Sequence, residues 1–215
     1  METKENPGGQ PGLDDWIIKD LAKSGLTPEN FAVEPLRSKA ELEARLGFTI
    51  IKDKSGTVLS LIEICGYWII YPNVPGYYRL KLRREIETED SKIKYLSPLK
   101  ELGKGNRAYI LPEVEKILKN YSPDKPILVT EGEKKSAKAT FEGFPCIGLS
   151  GVWMFGDSDN DFLPDLDQYS WKNRTVFIVF DSDITGKHGV KQAELRLAIE
   201  LMNRGARVCS VRLPN

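Results

Sequence analysis

Ile127-Leu128-Val129-Thr130-Glu131-Gly132-Glu133-Lys134-Lys135 and, later, Thr175-Val176-Phe177-Ile178-Val179-Phe180-Asp181-Ser182-Asp183 are the stretches that decide the fold. Each begins as a short run of β-branched, aliphatic and aromatic residues without polar alternation, the pattern of a strand buried on both faces in a parallel sheet. Each run ends in carboxylates, Glu131-Gly132-Glu133 in the first and Asp181-Ser182-Asp183 in the second. Ligands of open α/β sheets bind beyond the carboxyl ends of such strands. If the two runs are neighbours, their acidic ends converge at one sheet edge. Carboxylates held that close repel, and a hard divalent cation relieves the repulsion through oxygen ligands. Mg²⁺ is the expected ion, with Mn²⁺ as a substitute.

Around these runs the sequence reads as β-α-β-β-α-β. A helix is expected from Glu133 to Glu142, stopped by Gly143, and a strand over Cys146-Ile147-Gly148-Leu149. After 175–180 comes a helix from Val190 to Asn203, stopped by Gly205, and a last strand from Val208 to about Leu213. Helices between buried strands imply right-handed parallel crossovers, hence an α/β domain with helices on both faces of the sheet. Pro112 to Lys119 reads as a short helix, and residues 121–126 as a linker before the domain.

Upstream the texture differs. Residues 1–12 are polar and rich in Gly and Pro, a disordered lead. Leu13, Trp16, Ile17 and Leu21 have helical spacing, Thr27-Pro28-Glu29 is a helix-start pattern, and Ser38-Lys39-Ala40-Glu41 is a capping box leading to Leu46 and Gly47. Strand-like runs follow at 48–51, 58–62, 67–71 and 77–83. In the last, Tyr78, Leu80 and Leu82 alternate with Arg79, Lys81 and Arg83, so one face is apolar and the other basic. Such a face, with Tyr95 and Tyr109 nearby, could track a phosphate backbone; an ordinary solvated face is the plainer account, and Glu85 and Glu87 beside it favour that account. The domain expectation is a lead at 1–12, a smaller helical and β-rich module at 13–121, and the α/β domain at 122–215.

Each acidic residue has two readings. Asp181 and Asp183, two positions apart after a strand, suit two oxygens on one ion, and equally suit strand-end solvation or capping of the next helix. Glu131, ending the other strand, shifts the balance, because a general base or further metal ligand there reaches the same centre. Gly132 leaves room for backbone to approach a phosphate. Lys134 and Lys135 stand in a first helical turn, where cations oppose the dipole, so an anion is expected near them. Gly186 and Lys187 fit a phosphate-approaching turn or a plain loop before a helix.

Lys plus Arg and Asp plus Glu are 31 each, so bulk charge does not mark a nucleic-acid binder. The one histidine, His188, leaves almost no material for a histidine metal site or a Ser-His-Asp triad. Cys65, Cys146 and Cys209 are widely spaced beside apolar runs and read as buried free thiols of a reducing compartment, which makes the cytoplasm the default location. No apolar run approaches the ~18 residues of a membrane span. A doubly wound nucleotide-binding or phosphatase-like domain is disfavoured, since no Gly-rich phosphate loop is present.

The strand ending in Glu131-Gly132 and the later strand ending in Asp181-Ser182-Asp183 resemble the Toprim domain shared by bacterial-type primases, type IA and type II topoisomerases and a group of nucleases. Thr130-Glu131-Gly132-Glu133-Lys134-Lys135, with Gly148-Leu149-Ser150-Gly151-Val152-Trp153, is similar to a Toprim-like group in phage and plasmid replication proteins. The resemblance implies Glu131 as acid/base residue and Asp181 and Asp183, with Glu131, as Mg²⁺ ligands for phosphoryl or nucleotidyl transfer. It implies Gly132, Lys134, Lys135, Gly186 and Lys187 near nucleotide phosphates, and Arg79, Lys81 and Arg83 as outlying nucleic-acid contacts. The partners it implies are a DNA or RNA template, nucleoside triphosphates and a replicative helicase. The activity expected first is primase-like synthesis of short oligonucleotides. A nuclease using the same carboxylates, and a non-catalytic nucleic-acid-binding or replisome-docking module, are the alternatives. Two departures from primases are the absence of an N-terminal zinc module and an end at Leu213-Pro214-Asn215, where primases run on to another acidic segment; a chain truncated at its C-terminus, a weak catalyst on its own and a non-catalytic relative are the readings this leaves open.

Overall fold

Residues 13–48, 51–59, 64–87, 92–100, 105–156, 162–181 and 188–212 are described by a computed structural model of the chain. The chain forms two compact units, Met1–Ile70 with Gly76–Leu102, and Tyr71–Pro75 with Gly103–Asn215. Asp183, Gly186, Lys187, the lead 1–12 and parts of the strand-like runs at 48–51 and 58–62 lie outside the described residues.

The first unit holds α1 (Asp15–Ala22), β1 (Val33–Pro35), α2 (Lys39–Leu46), β2 (Gly66–Ile70), β3 (Tyr78–Glu87) and β4 (Lys92–Leu96). Its four strands form an antiparallel sheet in the order β1-β2-β3-β4. The capping box works as expected, with Ser38 accepting from the Glu41 N–H and Gly47 closing α2 in the left-handed conformation. Leu42 and Leu46 of α2 pack with Trp68, Leu80, Leu82 and Leu96 in the core. Thr27-Pro28-Glu29 does not start a helix. The segment makes one turn, closed from Thr27 O to the Asn30 and Phe31 N–H groups, with the Asn30 side chain accepting from the Thr27 N–H. Pro35 biases the preceding residue to extended backbone, so the chain passes into β1 instead. Between 51 and 59 the described residues show a tight turn built on Asp53 and a single Lys52–Val58 bridge.

Strand β4, Lys92-Ile93-Lys94-Tyr95-Leu96, has no counterpart among the strand-like runs of the sequence. Pairing with β3 accounts for the mixed charges there: Lys92 meets Glu87 at 3.3 Å and Lys94 meets Glu85 at 3.1 Å.

The second unit holds α3 (Pro112–Lys119), β5 (Ile127–Glu131), α4 (Glu133–Phe141), β6 (Cys146–Leu149), the short α5 (Pro164–Asp167), β7 (Thr175–Val179), α6 (His188–Asn203) and β8 (Arg207–Ser210). The four strands are all parallel, in the order β6-β5-β7-β8. The fold is therefore α/β as expected, a parallel sheet flanked by helices alongside a β-rich antiparallel module. The chain leaves β5 towards β6 on one side and leaves β7 towards β8 on the other. With both crossovers right-handed, α4 and α6 fall on opposite faces.

Burial across the sheet is uneven. All four residues of β6 are buried although it lies at the end of the strand order, because Tyr109 exchanges backbone hydrogen bonds with Gly148 and covers that edge. Strand β7 alternates buried and half-buried residues, and three of the four β8 residues are exposed. Cys146 is buried and Cys65 half-buried, but Cys209 is exposed, contrary to the expectation for buried thiols; β8 is the end strand and is covered incompletely. Short α5 escaped the sequence reading. Its Asp165 is buried, accepting from Arg107 Nη1 at 3.0 Å and from the Ala108 N–H at 3.1 Å.

Candidate functional site

In the aligned register Thr130 of β5 faces Val179 of β7, so Glu131 ends one strand beside the point where Phe180 and Asp181 leave the other. The connections from these two strands diverge to opposite sides, which makes the gap between their carboxyl ends the switch point where α/β sheets take ligands. Thr130 Oγ1 donates to the Val179 carbonyl at 2.7 Å and pins the ends together. The sequence anticipated this convergence of Glu131 and Asp181, and the strand order realises it.

Gly132 sits between β5 and α4 at φ 94° and ψ 139°, a conformation open in practice only to glycine. The turn is held from several sides. Gly132 N–H donates to Leu149 O at 2.7 Å, Ser136 N–H returns to Gly132 O at 3.2 Å, and Ser136 Oγ donates to Glu133 O at 2.9 Å. Gly148 lies against this turn, and a Cβ there would collide with Ser136 Oγ and stand 3.0 Å from Gly132 O.

Glu133 opens α4 and is only 2% exposed. Its Oε1 accepts from the Tyr71 hydroxyl at 2.6 Å, and its position in the first turn sets its charge against the positive end of the helix. Tyr71 in turn meets Tyr109 edge to face at 5.3 Å. Burial, then the Glu133 charge, pushes the Tyr109 phenol above its ordinary range. Asn73 ties the same segment down, donating to Ala108 O at 2.9 Å and accepting from the Ile110 N–H at 3.1 Å. Sequence reading missed this support altogether. The one local signal was a glycine in the apolar run 146–149, which marks a close approach of backbone.

Lys135, in the first turn of α4, reaches across to β7 and places its ammonium 2.5 Å from Asp181 Oδ1 and 2.6 Å from Oδ2. Both side chains are about half exposed, at 50% and 51%. The anion expected near the lysines is therefore, for Lys135, the carboxylate of Asp181. A cation already sits on that carboxylate, and the donors at the two strand ends are all hard oxygens, the chemistry that Mg²⁺ takes. To that extent the residues fit the ion. Among the described residues no three His, Cys, Asp or Glu side chains form a metal-holding group. Asp183 lies outside them.

The basic residues of β3 belong to the first unit. Arg79 is 6% exposed, donates from Nε to Ser97 Oγ at 3.0 Å and lies over the Tyr95 ring. Lys81 lies over the same ring and donates to Leu82 O. Arg83 is exposed and stands over Trp16. This face is thus laid down on aromatic rings of its own unit rather than standing bare in solvent. No described helix is long and apolar enough to cross a membrane.

Comparison with known proteins agrees with the architecture. Residues 116–215 match the model of a family described as a domain of unknown function, DUF3854. No curated protein matches the chain. Among solved structures, the chain is similar to the crystal structure of the Aquifex aeolicus primase, zinc-binding and RNA polymerase domains, at a TM-score of 0.57 and 17% identity. That alignment takes in 94% of this chain and 50% of the primase chain, so the protein spans about half the length of the structure it matches. The chain thus has a primase-like fold.

Proposed function

We propose that the protein carries a Toprim-type centre for Mg²⁺-dependent phosphoryl or nucleotidyl transfer on nucleic acid, with primase-like oligonucleotide synthesis in the replication of a phage or plasmid as its activity. The observation that carries this reading is that Glu131 and Asp181 stand at the carboxyl ends of two adjacent parallel strands at the switch point of the sheet, with a cationic side chain drawn onto Asp181. The primase-like fold supports it.

In this reading Asp181 and Asp183, with Glu131, would hold Mg²⁺ or Mn²⁺, which would supply charge neutralisation for a phosphoryl group. Glu131 accepts the proton of the attacking hydroxyl. Gly132, lacking a side chain, lets phosphate oxygens approach the backbone, while Lys134, Lys135, Gly186 and Lys187 line the phosphate path. Template, nucleoside triphosphates and a replicative helicase are the proposed partners. On β3, Arg83 is the better placed of the three basic residues to meet nucleic acid, since Arg79 is buried.

The test is a calorimetric Mg²⁺ and Mn²⁺ titration of the wild type beside Asp181→Asn/Asp183→Asn, followed by template-directed synthesis from nucleoside triphosphates and by cleavage of single-stranded DNA. Metal binding lost in the double variant, with products longer than a dinucleotide, is the expected result. Cleavage without synthesis would replace primase with nuclease action. A folded wild type that binds neither ion would sink the catalytic reading.

A further inference from the structure

The contact between Lys135 and Asp181 does more than join a helix to a strand. Both carboxylate oxygens lie within 2.6 Å of one ammonium, so a cation arriving at Asp181 meets a positive charge already seated there. Lys135 stands in the first turn of α4, where the helix dipole disfavours a cation, and it has a reason to stay only while Asp181 is available to it. Half exposure on both sides means that solvent and ions reach the pair directly and that the pair itself is weak.

Resting on the metal-centre reading above, we propose that Lys135 is an internal counter-ion that holds Asp181 until a divalent cation displaces it. The displaced ammonium then becomes a ligand for the phosphate of an incoming nucleotide. The centre therefore takes up cation and phosphate cooperatively, because the first frees the group that binds the second. A surface ion pair with no such role would contribute stability alone and would not respond to metal.

The test uses the full chain. Mn²⁺ affinity is measured by electron paramagnetic resonance for the wild type, Lys135→Gln, Lys135→Arg, Lys138→Gln and Asp181→Asn. Lys138 lies on the same helix but pairs with Glu142, so its variant reports bulk charge. In parallel, acetylation of Lys135 is followed by mass spectrometry with and without Mn²⁺ and inorganic phosphate.

Removing a weak, half-exposed competitor should tighten Mn²⁺ binding about three- to tenfold in Lys135→Gln. Lys135→Arg should bind no tighter than the wild type, and Lys138→Gln should match it. Mn²⁺ should raise Lys135 acetylation in the wild type but not in Asp181→Asn, and phosphate should protect Lys135 only when Mn²⁺ is present. Wild-type Mn²⁺ binding with no tightening in Lys135→Gln and an unchanged acetylation pattern overturns the counter-ion role and leaves the metal centre standing. Equal tightening in Lys138→Gln overturns it as a bulk charge effect, and phosphate protection without Mn²⁺ overturns the coupling. Absence of Mn²⁺ binding in both wild type and Lys135→Gln overturns this proposal together with the metal reading.

Discussion

Gly132 and Gly148 show how much of this centre depends on side chains that are missing. At Gly132 a Cβ would meet no atom within 4 Å, so Gly132→Ala isolates the backbone cost of φ 94°. Chemical denaturation should show a loss of about 1–3 kcal/mol. At Gly148 the backbone is ordinary and the obstacle is Ser136 Oγ. Gly148→Ala should cost a similar ~1–3 kcal/mol by overpacking, and Ser136→Ala/Gly148→Ala should recover part of it, a non-additivity that a double-mutant cycle measures. The thiols give a third test at this scale. Burial pushes Cys146 up to about 12, so it stays protonated where free thiols begin to ionise. Iodoacetamide should modify exposed Cys209 first and Cys146 last. Because the folded value is raised, its contribution to stability is intact below the free-thiol range and is lost as pH climbs towards about 12.

Helix α4 is the element on which the centre turns. Its first residues face three ways: Glu133 inward to Tyr71, Lys135 across to Asp181, and Ser136 back onto the Gly132 turn. Tyr71→Phe leaves the buried Glu133 carboxylate without that donor. Thermal or denaturant unfolding should register a loss of about 1–3 kcal/mol. Sequence alone places Glu133, Lys134 and Lys135 at a helix start with an anion expected near the lysines, and the fold supplies Tyr71 to Glu133 and Asp181 to Lys135. Periodicity could not reveal this, because Tyr71 is distant in sequence and arrives through the fold. The same applies to β4, whose Lys-Ile-Lys-Tyr-Leu pattern makes sense only against Glu85 and Glu87 of β3.

Across the whole molecule, a cation bound at Asp181 should stabilise the second unit. At a hundredfold excess over its dissociation constant the gain is about 2.7 kcal/mol. Hydrogen exchange with added Mg²⁺ should show greater protection in peptides covering 127–135 and 175–181, with peptides covering 78–96 unchanged, because the antiparallel sheet belongs to the other unit. Equal protection of both units, or of neither, would contradict a centre confined to the ends of β5 and β7.

What the sequence by itself determined was local and periodic: the apolar runs of β5, β6 and β7, helices α4 and α6, the capping box of α2, and carboxylates at two strand ends. Those follow from short-range sterics and from burial patterns carried by neighbouring residues. What only the tertiary structure decided was adjacency. The order β6-β5-β7-β8 put Glu131 beside Asp181, gave Lys135 its anion, covered the edge of β6 with Tyr109 and left Cys209 in solvent. Strand order and the partners of a buried charge depend on contacts between residues far apart in the chain, and no window of sequence contains both sides of such a contact.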